Sequence, residues 1–312
     1  MDWKIIKKND QYLNPTVLIK QGSSQILTEA NVMLLKGESG SGKSRVAMNV
    51  MVGFSGASEG LGFEYTICPT DKYVIYISTE MSDHDIQRRL VKILEQCAPE
   101  YEDRLVMVNI ENSLDKFKSL TEVLAEYPPH AIIVDQIGDF VSNINDLDIC
   151  TAFTSTFLTT IRPYSCGAIA ILHQNEDGGI GKKARGHLGS ILEQKVSCSM
   201  AIADHKKGFT LKSTKMRNGA PVMFSATFDE TTEMLKLNTE REEVSKKNII
   251  FDQLILPGGK TEVCKQIGRL SGLKQYQSQL KMLQEYIDAG KLKEDHKGRD
   301  HIISKVDNGT LS

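Results

Sequence analysis

Short apolar runs alternate with segments of helical periodicity through the first half of the chain. The runs have the length of buried strands and cover residues 32–35, 73–78, 105–110, 131–135 and 167–172. The segments between them place apolar residues at helical spacing over 44–54, 86–94, 114–127 and 152–161. Continuous apolar strands that alternate with helices are typical of a parallel sheet that is covered on both faces. The pattern therefore predicts an α/β fold with a parallel β-sheet flanked by helices.

Other strand-like segments flank this core. Two of them, 17–19 and 25–27, surround Gly22 and predict a small hairpin within residues 1–30. Four more predict a meander after the parallel sheet, at residues 200–203, 209–213, 222–228 and 234–237. The charged segment 239–247 is either a linker or the start of a helix. We therefore expect a core domain over 1–240 and a second domain over 241–312.

The last part of the chain has a different pattern. Helical segments at 247–256, 261–270 and 275–289 precede a hairpin of residues 291–293 and 301–303, the order of a small winged helix-turn-helix domain. Residues 245–312 hold 12 Lys and Arg against 8 Asp and Glu, a net charge of about +4. Such a tail suits contact with the DNA backbone, but it suits a protein-interaction or oligomerisation module equally well.

Composition excludes several classes of protein. The chain has 312 residues and a net charge of −2, so the whole chain is not a polybasic nucleic-acid binder. No apolar run approaches the ~18 residues of a membrane span, and the first residues lack the apolar core of a secretory signal. The 6 cysteines are scattered without a Cys-x-x-Cys pair. We expect reduced thiols and a cytoplasmic protein that does not associate with membranes.

The stretch GESGSGKS at residues 37–44 is the strongest motif in the chain. It fits the phosphate-binding loop of P-loop nucleotidases, and it lies between a predicted strand and a predicted helix, as that motif requires. Its glycines allow backbone N–H groups to turn towards a phosphate, while the lysine ammonium reaches the β- and γ-phosphates. The predicted ATP-binding residues are Gly37, Glu38, Ser39, Gly40, Ser41, Gly42, Lys43, Ser44 and Arg45.

Two acidic residues complete the predicted chemistry. Asp135 ends an apolar strand, as a Walker B acid does, and with Ser44 it is the predicted Mg²⁺ site. Glu80 follows strand 73–78 and is the best candidate for the base that activates water, because Gln136 occupies the position directly after Asp135. The alternatives are an ordinary acid at a strand end for Asp135 and an acid that complements a helix dipole for Glu80.

The ordered set of motifs resembles the RecA-like core of DnaB/RepA-type hexameric helicases and their relatives, the AAA-family ATPases of bacterial mobile elements. The resemblance spans about residues 25–240 and includes the segment ISTEM at 77–81, in which it implies that Glu80 is the catalytic base. It also includes LHQN at 172–175, where it implies that Gln174, and secondarily His173, senses the γ-phosphate. A Gly-Ser followed by Glu-Gln recurs at 189–194.

The resemblance further implies a catalytic contribution from a neighbouring subunit. In the segment KMRNG at 215–219, Lys215 and Arg217 match the residues that reach a neighbour's γ-phosphate. A guanidinium suits the stabilisation of a transferring phosphate. The alternative is that both are solvated charges of a hairpin, because Asn218-Gly219 is a strong turn signal between β-prone segments. The first interpretation predicts a homo-oligomer, either a hexameric ring or a filament.

A loop at 175–189 lies where RecA-like proteins carry a segment that contacts DNA. Its glycines surround Lys182, Lys183 and Arg185, which would bind phosphates of single-stranded DNA. The alternative is a solvated mobile loop. We read too little apolar character in this segment to predict a helix or strand.

Two functions are compatible with these features. The first is an ATP- and Mg²⁺-dependent DNA translocase or helicase that serves the replication or mobilisation of a plasmid or mobile element, together with other proteins of that process. The second is an ATP-switched DNA-binding regulator or assembly protein with little unwinding activity. Stimulation of ATP hydrolysis by single-stranded DNA would favour the first, and site-specific duplex binding by the tail would favour the second.

Overall fold

The computed structural model describes residues 6, 8, 10, 13–57, 61–175, 182–205, 208–238, 250–251, 253–289, 291–297 and 300–306. The chain divides into two compact units, Met1–Asn238 and Thr239–Ser312. Each unit has an apolar core of its own.

The first unit is built on β-strands and α-helices that alternate along the chain. Its described strands are β1 (Val17–Gln21), β2 (Ser24–Thr28), β3 (Val32–Gly37), β4 (Glu64–Tyr65), β5 (Tyr73–Ser78), β6 (Leu105–Asn109), β7 (Pro129–Asp135), β8 (Gly167–His173), β9 (Cys198–His205), β10 (Gly208–Met216), β11 (Met223–Asp229) and β12 (Met234–Leu237). Its described α-helices are α1 (Lys43–Phe54), α2 (Asp83–Leu94), α3 (Lys116–Glu126), α4 (Leu147–Ile161) and α5 (Gly186–Lys195). Short 3₁₀ helices cover Pro99–Arg104, Ile137–Phe140 and Arg162–Tyr164.

The central sheet has nine strands in the order β12-β11-β10-β9-β3-β8-β7-β5-β6. The strands from β9 to β6 are parallel to one another. The strands β10, β11 and β12 continue the sheet from β9 as an antiparallel meander. The predicted α/β fold is confirmed, with the difference that the sheet is mixed at one end because the meander joins it.

Helices cover the parallel strands on both faces, and β3 shows why. Its side chains alternate between two apolar cores, with Met33 and Leu35 in one and Val32 and Leu34 in the other. The first core also contains residues of α1 and of the hairpin β1–β2, and the second contains residues of α3, α4 and α5. A parallel strand that is buried on both faces must be apolar throughout, which is the pattern that the sequence displays.

Side-chain caps fix where several helices begin. Ser82 accepts a hydrogen bond from the backbone N–H of Asp85 at 3.2 Å, so α2 begins at Asp83, three residues after Glu80. Asp115 and Asp146 cap α3 and α4 in the same way. Because β5 ends at Ser78 and α2 begins at Asp83, Glu80 lies in the short connection between them.

The second unit is small and has the described order β13 (Gly258–Gly259), α6 (Lys260–Ser271), α7 (Tyr276–Asp288), β14 (Leu292–Lys297) and β15 (Asp300–Lys305). The strands pair in the order β13-β15-β14, and both pairings are antiparallel. Gly272 ends α6 with a φ of 75°, in the left-handed region that glycine favours. The core of this unit includes Val263, Ile267, Leu283 and Ile303.

Some expectations from the sequence fall outside the described residues or are wrong. The predicted linker 239–247 lies outside them, as do residues 247–249 of the predicted helix 247–256; residues 250 and 251 are helical, and 254–256 are not. The prediction that 175–189 lacks regular structure is wrong for its last part, because α5 begins at Gly186 and buries Leu188 and Gly189. None of the helices that the structure describes is both long and apolar enough to cross a membrane.

Candidate functional site

The carboxyl ends of four parallel strands meet at one edge of the central sheet. Gly37 of β3 is in register with His173 of β8, and Asp135 of β7 is in register with Ser78 of β5. Strands β7 and β8 are themselves neighbours, with Asp135 opposite Ile171. Ligands of open parallel sheets bind beyond this edge. The residues that follow these strand ends therefore form one candidate site.

The loop 37–44 is shaped by glycines. The φ angles are 72° at Gly40 and 91° at Gly42, which caps α1, and both lie in the left-handed region. Gly37 is limited by space, because a Cβ there would lie 2.7 Å from the carbonyl oxygen of Ile202. The loop leads directly into the amino end of α1, where free N–H groups and the helix dipole favour an anion.

One buried hydroxyl in this loop is consistent with a bound anion. Ser41 Oγ is buried and has no hydrogen-bond partner among the described residues. Buried hydroxyl groups normally have a partner, because an unpaired one loses the hydrogen bonds that water would provide. A phosphate oxygen in the loop would accept a hydrogen bond from this hydroxyl.

Lys43 is buried and is held towards the loop. Its ammonium donates to the carbonyl oxygens of Glu38 at 2.7 Å and Gly37 at 3.1 Å, and it lies 3.1 Å from His173 Nδ1. Burial lowers the pKa of Lys43, and the carboxylates of Asp135 and Glu80 partly offset this shift. Burial, and next the charge of Lys43, lower the pKa of His173.

Ser44 and Asp135 are joined directly. Ser44 Oγ donates a hydrogen bond to Asp135 Oδ2 at 2.6 Å, which connects the start of α1 to the end of β7. A hydroxyl and a carboxylate are hard oxygen ligands of the kind that Mg²⁺ prefers, and phosphate oxygens and water would complete its octahedral shell. The two predicted metal ligands therefore lie together and fit a magnesium ion bound with a nucleotide.

Glu80 lies beside two other acidic residues at the same sheet edge. Partial burial raises its pKa, and the charges of Asp139 and Asp135 raise it further, against the opposing effect of Lys43. Thr79 fixes Asp139 by donating a hydrogen bond from Oγ1 to Oδ2 at 2.7 Å. A carboxylate with a raised pKa is a stronger base than an ordinary glutamate, which suits the activation of water.

Gln174 and His173 link the phosphate-binding loop to the segment that follows β8. The backbone N–H of Gln174 donates to the carbonyl oxygen of Gly37 at 3.1 Å. Gln174 also forms an isolated antiparallel bridge with Ala184, and Arg185 N–H donates to the carbonyl oxygen of His173 at 2.9 Å. The two ends of the segment 175–185 are therefore tied to the residues predicted to sense the γ-phosphate.

The three residues predicted to bind DNA lie on the returning end of this segment. Lys182, Lys183 and Arg185 are exposed, whereas the middle of the loop, 176–181, lies outside the described residues. An open cavity of about 540 Å³ adjoins this end, lined by Ser39, His173, Gln174, Asn175 and Arg185. Arg185 thus borders a space that also contacts the phosphate-binding loop.

Lys215 and Arg217 contact the carboxyl end of α5. Lys215 Nζ donates to the carbonyl oxygens of Glu193 at 2.5 Å and Gln194 at 2.9 Å, and the Arg217 guanidinium donates to that of Gln194 at 2.8 Å. Cations stabilise this end of a helix, where carbonyl groups lack partners. Burial, and next the charge of Arg217, lower the pKa of Lys215. Among the described residues, the hydrogen bonds of these two side chains do not reach the phosphate-binding loop of their own chain.

Arg45 follows the loop but is directed towards aromatic rings. Its guanidinium lies 3.9 Å from the ring centroid of Phe228 and 5.8 Å from that of Phe209. Both rings belong to the antiparallel meander, so this cation–π contact joins α1 to β10 and β11. Its predicted role in nucleotide binding stays a prediction.

Sequence reasoning missed two buried partners of the site. Tyr76 is fully buried, and its hydroxyl donates to Asp135 Oδ2, the same oxygen that accepts from Ser44. Burial, and next the charge of Asp135, raise the pKa of this phenol well above its ordinary value. Lys36, directly before the phosphate-binding loop, is 2% exposed and pairs with Glu193 of α5. A polar residue inside an apolar strand was the available signal in both cases.

A model of a protein family described as an AAA domain matches residues 14–179 of the chain. The chain belongs to this family. The match covers more than half of the chain and contains the phosphate-binding loop, Glu80, Asp135 and Gln174. A search of curated proteins found no match.

Membership of the AAA domain family supports nucleotide binding and an ATPase, and the sheet agrees with a RecA-like P-loop core. The family match ends at residue 179, before Lys215 and Arg217.

We predict that Asp139→Asn lowers the pKa of Glu80. The substitution removes a negative charge that raises this pKa, and the amide still accepts the hydrogen bond of Thr79. Glu80 then stays ionised to a lower pH than in the unchanged protein. Titration of the Glu80 carboxyl carbon by NMR measures the shift, with Asp148→Asn at the start of α4 as a matched loss of one charge. An identical Glu80 titration in both variants would contradict the prediction.

Proposed function

We propose that this protein is an ATP-dependent DNA translocase or helicase of the DnaB/RepA type. In this proposal it forms a homo-oligomeric ring or filament, hydrolyses ATP at subunit interfaces, and serves the replication or mobilisation of a plasmid or mobile element. The observation that carries it is the convergence of Lys43, Glu80 and the bonded pair Ser44–Asp135 at one sheet edge. The ordered motifs along the sequence support the finer assignment to DNA translocation.

Each group of residues at the sheet edge has a different role in hydrolysis in this proposal. Backbone N–H groups of 37–44 and the Lys43 ammonium bind the β- and γ-phosphates. Ser44 and Asp135 would hold Mg²⁺, which neutralises charge on the phosphate oxygens. Glu80 orients a water molecule and accepts its proton, and its raised pKa strengthens it as a base.

A neighbouring subunit completes the site in this proposal. Lys215 and Arg217 donate hydrogen bonds to carbonyl oxygens at the end of α5 and, among the described residues, none to the phosphate-binding loop of the same chain. A guanidinium that enters from a neighbour would stabilise the charge that develops on the transferring phosphoryl group. The oligomers that AAA-type ATPases often form offer such an interface.

The segment 175–185 connects this chemistry with DNA in the proposal. Its two ends are bonded to His173, Gln174 and Gly37, so a change in the contacts of Gln174 reaches Lys183 and Arg185 over a short path. The exposed cations of this segment suit the phosphates of single-stranded DNA. Hydrolysis would then alter the position of the DNA contacts once per turnover.

Mixing of two inactive variants tests the shared site. We predict that Glu80→Gln and Arg217→Ala each hydrolyse ATP slowly, and that a mixture of equal amounts regains activity. In a mixed ring, about a quarter of the interfaces join an intact Glu80 to an intact neighbouring Arg217. Steady-state ATP hydrolysis with single-stranded DNA measures the recovery.

The matched control for this mixture is Lys212→Ala, which removes an exposed cation from β10, the strand that ends directly before Arg217. It should leave hydrolysis unchanged by itself. Hydrolysis at the full rate by Arg217→Ala, or a mixture no more active than its components, would contradict an interface site.

A second function is favoured by one observation, the topology of the second unit. In this alternative the protein is an ATP-switched DNA-binding regulator or assembly protein with little unwinding activity. The order of a short strand, two helices and a hairpin, with strand pairing β13-β15-β14, supports a winged helix-turn-helix domain. The helix α7 would then be the one that enters the major groove.

The exposed face of α7 carries polar groups along most of the helix. Gln277, Lys281 and Gln284 lie at helical spacing and are exposed, whereas Leu283 and Tyr286 on the other side are buried. Amides and ammonium groups are the side chains that contact base edges and phosphates. This face has the chemistry that duplex recognition requires.

We predict that Lys281→Glu in the full chain weakens duplex DNA binding by about tenfold. The slope of log Kd against the logarithm of the salt concentration should fall by about 1, the value expected for the loss of one phosphate contact. Fluorescence anisotropy over a range of salt concentrations measures both. Lys118→Glu on α3 reverses an exposed charge in the other unit and serves as the control. Equal effects of the two variants would count against recognition by α7.

A further inference from the structure

Asp135 receives two hydroxyl donors on a single oxygen. Ser44 Oγ donates to Oδ2 at 2.6 Å, and the Tyr76 hydroxyl donates to the same Oδ2. Among the described residues, no donor is hydrogen-bonded to the other oxygen, Oδ1. Both hydrogen bonds to this carboxylate therefore fall on Oδ2, and Oδ1 is the oxygen that is left to accept from or bind a ligand.

Tyr76 is held where it is by the sheet. It belongs to β5, which pairs in parallel with β7, and it is two residues before Ser78, the register partner of Asp135. The side chain is fully buried in the core that also contains Val46 and Val50 of α1. Its ring therefore cannot turn away from Asp135 without displacing packed apolar groups.

A phenylalanine would fill the same space, so packing alone does not account for the hydroxyl. A buried phenol hydroxyl costs free energy unless it finds a hydrogen-bond partner. A carboxylate accepts a stronger hydrogen bond from such a hydroxyl than a neutral oxygen does. The partner here is the one acidic residue at this edge that also binds Ser44. The arrangement thus combines a rigid donor with the predicted Mg²⁺ ligand.

We propose that Tyr76 is a positioning residue for the magnesium–nucleotide site. Its hydroxyl anchors Oδ2 of Asp135 and so directs Oδ1 towards the magnesium shell, while Ser44 retains a lone pair on Oγ for the metal. This inference rests on the proposed function, because it requires that the loop 37–44 binds a nucleotide with Mg²⁺. Tyr76 itself touches neither the nucleotide nor the metal.

The test is equilibrium binding of a fluorescent ATP analogue to the full chain over a range of Mg²⁺ concentrations, with a parallel titration in EDTA. We predict that Tyr76→Phe raises the half-saturating Mg²⁺ concentration about tenfold, as expected for the loss of a hydrogen bond to a charged group. Binding of the analogue in EDTA stays unchanged. The control is Tyr73→Phe, at the opposite end of β5, where the ring packs edge-on against Tyr127.

A double-mutant cycle separates positioning from a structural role. If Tyr76 acts through Asp135, Tyr76→Phe has no further effect on the Mg²⁺ dependence in an Asp135→Asn background. A melting temperature measured without nucleotide reports any loss of folding, and a folded Tyr76→Phe variant with unchanged Mg²⁺ dependence overturns the inference. If the unsubstituted protein shows no Mg²⁺-dependent binding of the analogue, the proposed function fails, and the inference fails with it. The two failures are therefore told apart by the unsubstituted protein.

Discussion

The hydrogen bond between Ser44 Oγ and Asp135 Oδ2 joins residues that are 91 positions apart in the chain. It forms because β3, β8, β7 and β5 are parallel neighbours that end at the same edge of the sheet. Parallel pairing fixes which residues of neighbouring strands lie side by side. A shift of β7 by one residue would place the Asp135 side chain on the opposite face of the sheet. The register of these strands is therefore the constraint on which the whole site depends.

The two apolar cores maintain this register. Alternate residues of β3 enter cores on opposite faces of the sheet, so a slip of the strand would bury the same residues on the wrong sides. A second connection runs along the sheet away from Asp135. Lys36 precedes the phosphate-binding loop and pairs with Glu193 of α5, and the carboxyl end of α5 holds Lys215 and Arg217. The helix α5 therefore contacts both the residue before the phosphate-binding loop and the two cations proposed to reach a neighbouring subunit.

Much of this arrangement was predictable because its causes are local. Continuous apolar runs predicted five strands, β3, β5, β6, β7 and β8, and the glycine spacing at 37–44 predicted the turn into α1. Glu80 follows the end of β5 and Asp135 is the last residue of β7, and the carboxyl ends of parallel strands meet at one edge of the sheet. The start of α5 was missed because Leu188 and Gly189 are buried by tertiary packing, and four residues among polar neighbours show no helical period.

The contacts of Tyr76 and Lys36 were beyond sequence reasoning for a different reason. Each depends on a partner that is distant in the chain, and no local pattern encodes which acid a buried tyrosine or lysine will meet. The antiparallel attachment of β10 to β9 likewise depends on which strand edge the meander reaches. Long-range pairing of this kind is set by the assembled sheet rather than by the residues of one segment.

The central claim is that hydrolysis takes place at an interface between two copies of the chain. The most direct measurement is the ATP hydrolysis rate per subunit over a wide range of protein concentration, combined with the mass of the particle from analytical ultracentrifugation. We predict a rate per subunit that rises with the oligomeric fraction and is low in the monomer. A particle proven to be a monomer that hydrolyses ATP at the full, concentration-independent rate would contradict the account.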